Sequence, residues 1–177
     1  MNYFEFYEIP ESFQIDAPAL KKKFYELSKR YHPDFFANED DAKQHDILEL
    51  STLNNKAYQV LSNPARRMEY ILQQHELLAE GDKYQLAPDF LMEMMDINER
   101  LTDAETPEQL GNIKAQIDLF EKELLATQNA LVIDYESDST ANKELKLKGL
   151  KDIYFKQKYL LRIKDSLDTF AARFKAN

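Results

Sequence analysis

Leu20-Lys21-Lys22-Lys23-Phe24-Tyr25-Glu26-Leu27-Ser28-Lys29-Arg30-Tyr31-His32-Pro33-Asp34 is the stretch from which the rest of the chain can be read. Leu20, Phe24, Leu27 and Tyr31 recur at i, i+4, i+7 and i+11, which places them on one stripe of a helix. Between them stand Lys21, Lys22, Lys23, Lys29 and Arg30 against the single acid Glu26. Pro33 disfavours helical geometry at His32, so the helix ends there. Downstream, Leu50, Leu53, Ala57 and Leu61 draw a second stripe of the same period. His32-Pro33-Asp34 is therefore expected to be the turn of a helical hairpin, beside the one positive helix face of an acidic chain.

Four helices fit residues 1–76. Asp16 is a plausible N-cap, with Pro18 tolerated in the first turn, where backbone N–H groups have no helical partner. Asn63-Pro64 is another cap-plus-proline start and leads into Met68, Ile71 and Leu72. Ala79-Glu80-Gly81-Asp82-Lys83 reads as a break, inside a linker over residues 77–87. From 88 to 177 the pattern is helical throughout. Thr106-Pro107-Glu108-Gln109 is a capping box with proline at the first helical position. Leu110, Ile113, Ile117, Phe120, Leu124 and Leu131 follow it in alternating three- and four-residue steps, with one position skipped. Ser137-Asp138-Ser139 interrupts, and Leu160, Ile163, Leu167, Phe170 and Phe174 resume the pattern. The expected fold is all-α, with a helical hairpin and short flanking helices first. An antiparallel bundle of one short and two long helices follows, the long pair meeting in a coiled-coil-like seam.

Composition narrows the function classes. The 177 residues include no cysteine, which excludes disulfides, thiolate metal sites and cysteine nucleophiles. Three widely spaced histidines make a dedicated metal site unexpected, and no cofactor is implied. A net charge of -9 disfavours nucleic acid as the main partner, since phosphate binding wants clustered positive charge. No apolar run is long enough to span a membrane, and the acidic, aromatic N-terminus is unlike a targeting peptide. A cytoplasmic location is expected. No Gly-rich phosphate loop accompanies His32 and Asp34, and no nucleophile is suggested near them, so the chain is not read as an enzyme.

The hairpin and its turn resemble the J-domain of co-chaperones that act on seventy-kilodalton heat-shock ATPases. Tyr3-Phe4-Glu5-Phe6-Tyr7 matches its short first helix, Asp16-Ala17-Pro18 the start of the second and Asn63-Pro64-Ala65-Arg66-Arg67 the start of the fourth. The resemblance covers about residues 1–76. It implies that His32, Pro33 and Asp34 engage the chaperone and promote its ATP hydrolysis. A proline turn would hold Asp34 as a fixed, exposed carboxylate for a cation on the partner, a strong and directional contact. The plainer alternative is that Asp34 caps a turn and His32 ends a helix. Lys22, Lys29 and Arg30, with Lys21 and Lys23 at the edge, fit a patch that steers an acidic partner. Their plainer reading is a solvated helix surface.

The helix opening the second region carries two apolar faces. Phe90, Met94, Ile97 and Leu101 gather on one side; Leu91, Met92 and Met95 gather on the other, beside Asp96 and Glu99. One face suffices to join a bundle. The methionine-rich second face fits either a docking surface or a contact with the first domain. Phe90-Leu91-Met92-Glu93, followed by Asp96 and Glu99, resembles the signature of the HscB family, J-proteins of iron–sulfur cluster assembly. In that family this face binds the scaffold protein IscU, and the likeness carries over onto Leu91, Met92, Met95, Asp96 and Glu99. Met95 stands where leucine is common. An aromatic on the last helix completes the family's patch, and Phe155 is the match, with Tyr154 as the alternative. Some members carry a zinc-binding segment of paired cysteines; without cysteine, any cluster must stay on the partner.

The resemblance implies a co-chaperone that binds an IscU-type scaffold and delivers it to an HscA-like chaperone, stimulating that chaperone's ATPase. The alternative is a general folding co-chaperone of DnaK, although the Gly/Phe-rich linker and zinc modules of such proteins are missing. A third reading is a structural helical protein with an idle turn. A monomer or weak dimer is expected.

Overall fold

The computed structural model describes residues 1–79, 81, 83–137 and 142–175. The chain divides into two compact units, Met1–Glu76 and Leu77–Asn177. Every regular element among the described residues is helical: α1 Tyr3–Phe6, α2 Ala17–Arg30, a 3-10 turn Pro33–Phe36, α3 Asp41–Leu61, α4 Pro64–Gln74, α5 Pro88–Thr102, α6 Pro107–Ser137 and α7 Lys143–Lys175. None of the helices is long and apolar enough to cross a membrane, over the residues described.

The helix starts follow from local chemistry. The Asp16 carboxylate accepts from the Ala19 amide at 3.1 Å, and Pro18 sits in the first turn, where no amide is needed. Asn63 accepts from the Ala65 and Arg66 amides at 3.0 and 3.1 Å. At the start of α6, Thr106 Oγ1 accepts from the Gln109 amide at 3.2 Å, and Gln109 Oε1 accepts in return from the Thr106 amide at 3.1 Å. That reciprocal pair is the capping box expected from the sequence. The break expected at Ser137-Asp138-Ser139 is only half observable: Ser137 ends α6, while Asp138 and Ser139 lie outside the described residues, as do Glu80 and Asp82 of the earlier break.

In the first unit, α2 and α3 pack as an antiparallel hairpin. Leu20 and Leu27 of the predicted stripe are buried, and so are Ala57 and Leu61 on α3. Phe24 is only half-buried and stacks on Tyr58, ring centroids 4.3 Å apart. Between the helices lies a polar group, Asn54, only 1% exposed. Its Nδ2 donates to the Phe24 carbonyl at 3.1 Å and to Ser28 Oγ at 2.9 Å, while its Oδ1 accepts from the Tyr7 hydroxyl at 2.8 Å. Burial pushes the Tyr7 phenol above its ordinary range, so it remains a donor throughout the neutral pH range. Arg67 is buried too: its Nε donates to the Phe13 carbonyl at 3.0 Å, and a second nitrogen donates to the Leu61 carbonyl. No buried side-chain polar atom lacks a partner among the described residues.

The second unit is the expected bundle. α6 and α7 form the main seam, and α5 packs on both. Its core holds Phe90, Met94, Ile97 and Leu101 from α5, Leu110, Ile113 and Ile117 from α6, and Leu160, Ile163 and Leu167 from α7. At Gly149 the two long helices come close: an added Cβ would lie 3.1 Å from Leu131 Cδ1. Part of the stretch read as a linker also packs here. Leu86 belongs to this core, and the Tyr84 ring stacks on Phe155 with centroids 4.7 Å apart.

Replacing Asn54 by Leu would take away the Ser28 hydroxyl's partner and leave the Tyr7 hydroxyl only its longer bond, 3.3 Å, to the carbonyl of residue 54. The expected loss is about 1–3 kcal/mol of stability, read as a lower urea midpoint by circular dichroism. An unchanged midpoint would show that the network contributes no net stability.

Candidate functional site

The end of α2 and the turn after it place the His-Pro-Asp residues. Tyr31 caps α2, its amide donating to the Leu27 carbonyl at 2.9 Å. His32 adopts an extended backbone with φ -74° and ψ 123°, as a residue before proline must when helical geometry is disfavoured. Pro33 then opens the 3-10 turn. The cap of that turn is His32, not Asp34: His32 Nδ1 accepts from the Asp34 amide at 3.3 Å. This requires the neutral imidazole with its proton on Nε2. The Asp34 carboxylate is left with its side chain 86% exposed, 3.8 Å from His32 Nδ1. Phe35, which the sequence reading passed over, is exposed beside it, 5.6 Å from the His32 ring centroid to centroid.

The basic face of α2 stands next to this turn. Lys21, Lys22, Lys29 and Arg30 are exposed, and so is Tyr25 on the same face. Lys23 differs. It is half-buried and binds Glu8 at 2.5 Å. The Glu8 carboxyl is held below its ordinary range by the Lys23 hydrogen bond and charge, with a further contribution from Arg30. Lys23 therefore fastens the N-terminal segment to α2. It belongs to the scaffold of the domain as much as to its surface charge.

On α5 the two faces separate cleanly. Phe90, Met94, Ile97 and Leu101 are buried, the last three at 1% exposure or less. Met92 is 63% exposed and Met95 65%. Met92, Met95, Asp96 and Glu99, together with Asn98, line a shallow open depression. Asp96 is 3.6 Å from Arg100 one turn on. Leu91 sits at the border, half-buried against the bundle core. Of the two candidate aromatics on α7, Tyr154 is buried. Phe155 is half-buried, stacked face to face on Tyr84 and edge-on to Tyr154 at 5.2 Å. Its ring is thus already partly occupied within its own domain. The structure gathers Met92, Met95, Asp96 and Glu99 into one patch, with Leu91 at its rim. Phe155 stands on a neighbouring helix.

The sequence reading also missed a second basic surface. Between Lys143 and Lys164, α7 carries eight lysines and arginines against two acids. The signal was present in the composition but was interleaved with the apolar stripe of Leu160, Ile163 and Leu167. No cluster of metal-ligating side chains occurs among the described residues.

A helical hairpin turned by an exposed His-Pro-Asp and followed by a three-helix bundle defines a J-domain co-chaperone architecture. Known proteins agree on both halves. Residues 2–70 match the family model described as DnaJ domain, and residues 86–168 match the one described as HSCB C-terminal oligomerisation domain. The co-chaperone protein HscB homolog of Vibrio vulnificus strain CMCP6 is 36% identical over 155 residues, 84% of this chain and 90% of that one. The mouse iron-sulfur cluster co-chaperone protein HscB is 33% identical over 145 residues, 81% of this chain and 61% of that one. Chaperone HscB from Vibrio cholerae superposes with a TM-score of 0.66 at 28% identity, over 98% of this chain and 99% of that one. Human co-chaperone protein HscB superposes with a TM-score of 0.72 at 26% identity, over 96% and 81%. The chain belongs to the HscB family of co-chaperones.

Proposed function

We propose that the protein binds an IscU-type iron–sulfur scaffold on its second unit and presents it to an HscA-like seventy-kilodalton ATPase chaperone bound by its first. The observation that supports this most is the exposure of Met92 and Met95 directly opposite a fully buried face of the same helix. Two such methionines are surplus to folding. Their flexible, polarisable side chains suit a partner surface, and Asp96 and Glu99 give it charged rims. On the first unit, His32 and Pro33 hold the Asp34 carboxylate outward, where it meets a cation on the chaperone. Lys22, Lys29 and Arg30 draw in the chaperone's acidic surface. The work done is that of a tether: two weakly interacting partners gain a high effective concentration for each other. The chain's own side chains carry out no covalent step.

Asp34→Asn removes one charge from an exposed side chain and leaves the turn's cap, His32, in place. Stimulation of the chaperone's steady-state ATPase is expected to vanish while circular dichroism stays unchanged. Undiminished stimulation would contradict the role of the turn. At the other surface, Met95→Ala is expected to weaken binding of the scaffold by about 1–3 kcal/mol in calorimetry. Equal affinity with the fold intact would move the scaffold site away from α5.

A further inference from the structure

α7 presents a basic stripe around Phe155. Lys148, Lys151, Phe155, Lys158 and Arg162 recur at i, i+3, i+7, i+10 and i+14, one face of the helix by heptad spacing. Lys148 is paired with Glu144 one turn back, at 2.7 Å. Lys151 stands over the Tyr84 ring, 5.4 Å from its centroid. Lys158 Nζ donates to the Tyr154 hydroxyl at 2.9 Å and lies 4.9 Å from the centre of the Tyr154 ring. Among the described residues neither Lys158 nor Arg162 has a carboxylate partner. By contrast, Lys156 and Lys164 on other faces of α7 bind Asp152 at 2.7 Å and Glu121 at 2.8 Å. Intramolecular acids thus take up the charges of Lys148, Lys156 and Lys164 and leave this end of the stripe open. Tyr159, the next residue round the helix, meets Phe90 edge-on at 6.0 Å, so α7 packs here on the buried face of the helix whose other face carries the methionines.

We infer that Lys158 and Arg162, at the open end of this stripe, receive an acidic segment of the same scaffold protein that docks on the methionines of α5. The inference rests on the scaffold-binding reading of α5. It adds an oppositely charged pole on a neighbouring helix: carboxylates Asp96 and Glu99 on α5, Lys158 and Arg162 on α7. A partner must then carry a basic edge and an acidic edge in matching order. That fixes its orientation, which a methionine patch alone does poorly. Two other anionic occupants fit less well. The chain's net charge of -9 repels a polyanion that spreads beyond one helix face, as nucleic acid does. A membrane surface would need an apolar side chain to insert at the centre of the stripe, and Phe155 is stacked on Tyr84.

The test compares the full-length chain with Lys158→Glu/Arg162→Glu, with Arg162→Glu alone and with Met95→Ala. Each is titrated with an IscU-type scaffold by calorimetry at two salt concentrations, and with heparin as a generic polyanion. Arg162 is exposed, and its side chain makes no hydrogen bond or ion pair among the described residues, so its single variant guards against loss of fold in the double one. The expected result is a tenfold or greater weakening for the double variant at low salt, a smaller loss for Arg162→Glu, and a flatter salt dependence for both. Met95→Ala weakens binding with its salt dependence unchanged. If Met95→Ala weakens binding and both charge variants bind within twofold of wild type, the stripe is not a contact, although α5 is. If neither Met95→Ala nor the charge variants weaken binding, the scaffold site itself lies elsewhere and the inference falls with it. Heparin binding as tight as scaffold binding, lost in the same variants, would make the stripe a generic polyanion patch and overturn the inference.

Discussion

Asn54 makes the first unit possible in its observed form. A carboxamide 1% exposed between two helices costs free energy unless its donors and acceptor are all met. Here the Phe24 carbonyl, the Ser28 hydroxyl and the Tyr7 hydroxyl meet them. Those three partners lie on α2 and on the segment after α1, so the network permits one register of α2 on α3 and one position for the N-terminal turn. A one-residue slip of either helix would leave a buried amide unpaired. Apolar contacts between Leu20, Leu27, Ala57 and Leu61 tolerate small shifts; the amide does not. Pro33 then ends α2 at a fixed height, and the orientation of Asp34 follows from that register.

The second unit reaches the same kind of definition by other means. Its core is an aliphatic cluster bordered by aromatic rings, and the close approach at Gly149 and the reciprocal cap at Thr106 and Gln109 position the long helices. Gln128 and Gln157 add a hydrogen bond across the seam at 2.7 Å. α5 joins this bundle with one of its two apolar faces. Stability therefore asks little of Met92 and Met95, and their side chains stay exposed. The opposite holds for Phe155, whose ring is stacked on Tyr84, and for Lys23, whose charge is spent on Glu8.

The helices and their starts were legible in the sequence because they depend on local chemistry: the stripe from Leu20 to Tyr31, the caps at Asp16, Asn63 and Thr106, and the proline after His32. Which face of α5 is buried was legible only in part. Both faces are apolar, and periodicity separates them without saying which one water touches. Asn54 stands four residues after Leu50 and three before Ala57, so its place on the stripe was legible, but a polar side chain reads as surface until its three partners are known. Tyr84 and Leu86 looked like linker because no period precedes Pro88, yet burial on the bundle needs only two anchored side chains. Val132 and Tyr135, both buried, fell outside the expected α6 stripe, because alternating three- and four-residue steps average 3.5 residues and slip, over a long helix, from the 3.6-residue period that these two follow from Leu110. The basic stripe of α7 was hidden for a related reason: its lysines alternate with core residues, and charge becomes a face only when the helix is wound.

We propose that two different partners occupy two separate surfaces, one on each unit. Amide hydrogen exchange, measured with the ATPase chaperone alone and then with the scaffold alone, tests it directly. The chaperone is expected to slow exchange in α2 and the His32-Pro33-Asp34 turn and to leave α5 unchanged. The scaffold is expected to do the reverse, with protection in α5. Protection of both regions by either partner alone, or of neither by both, would contradict it.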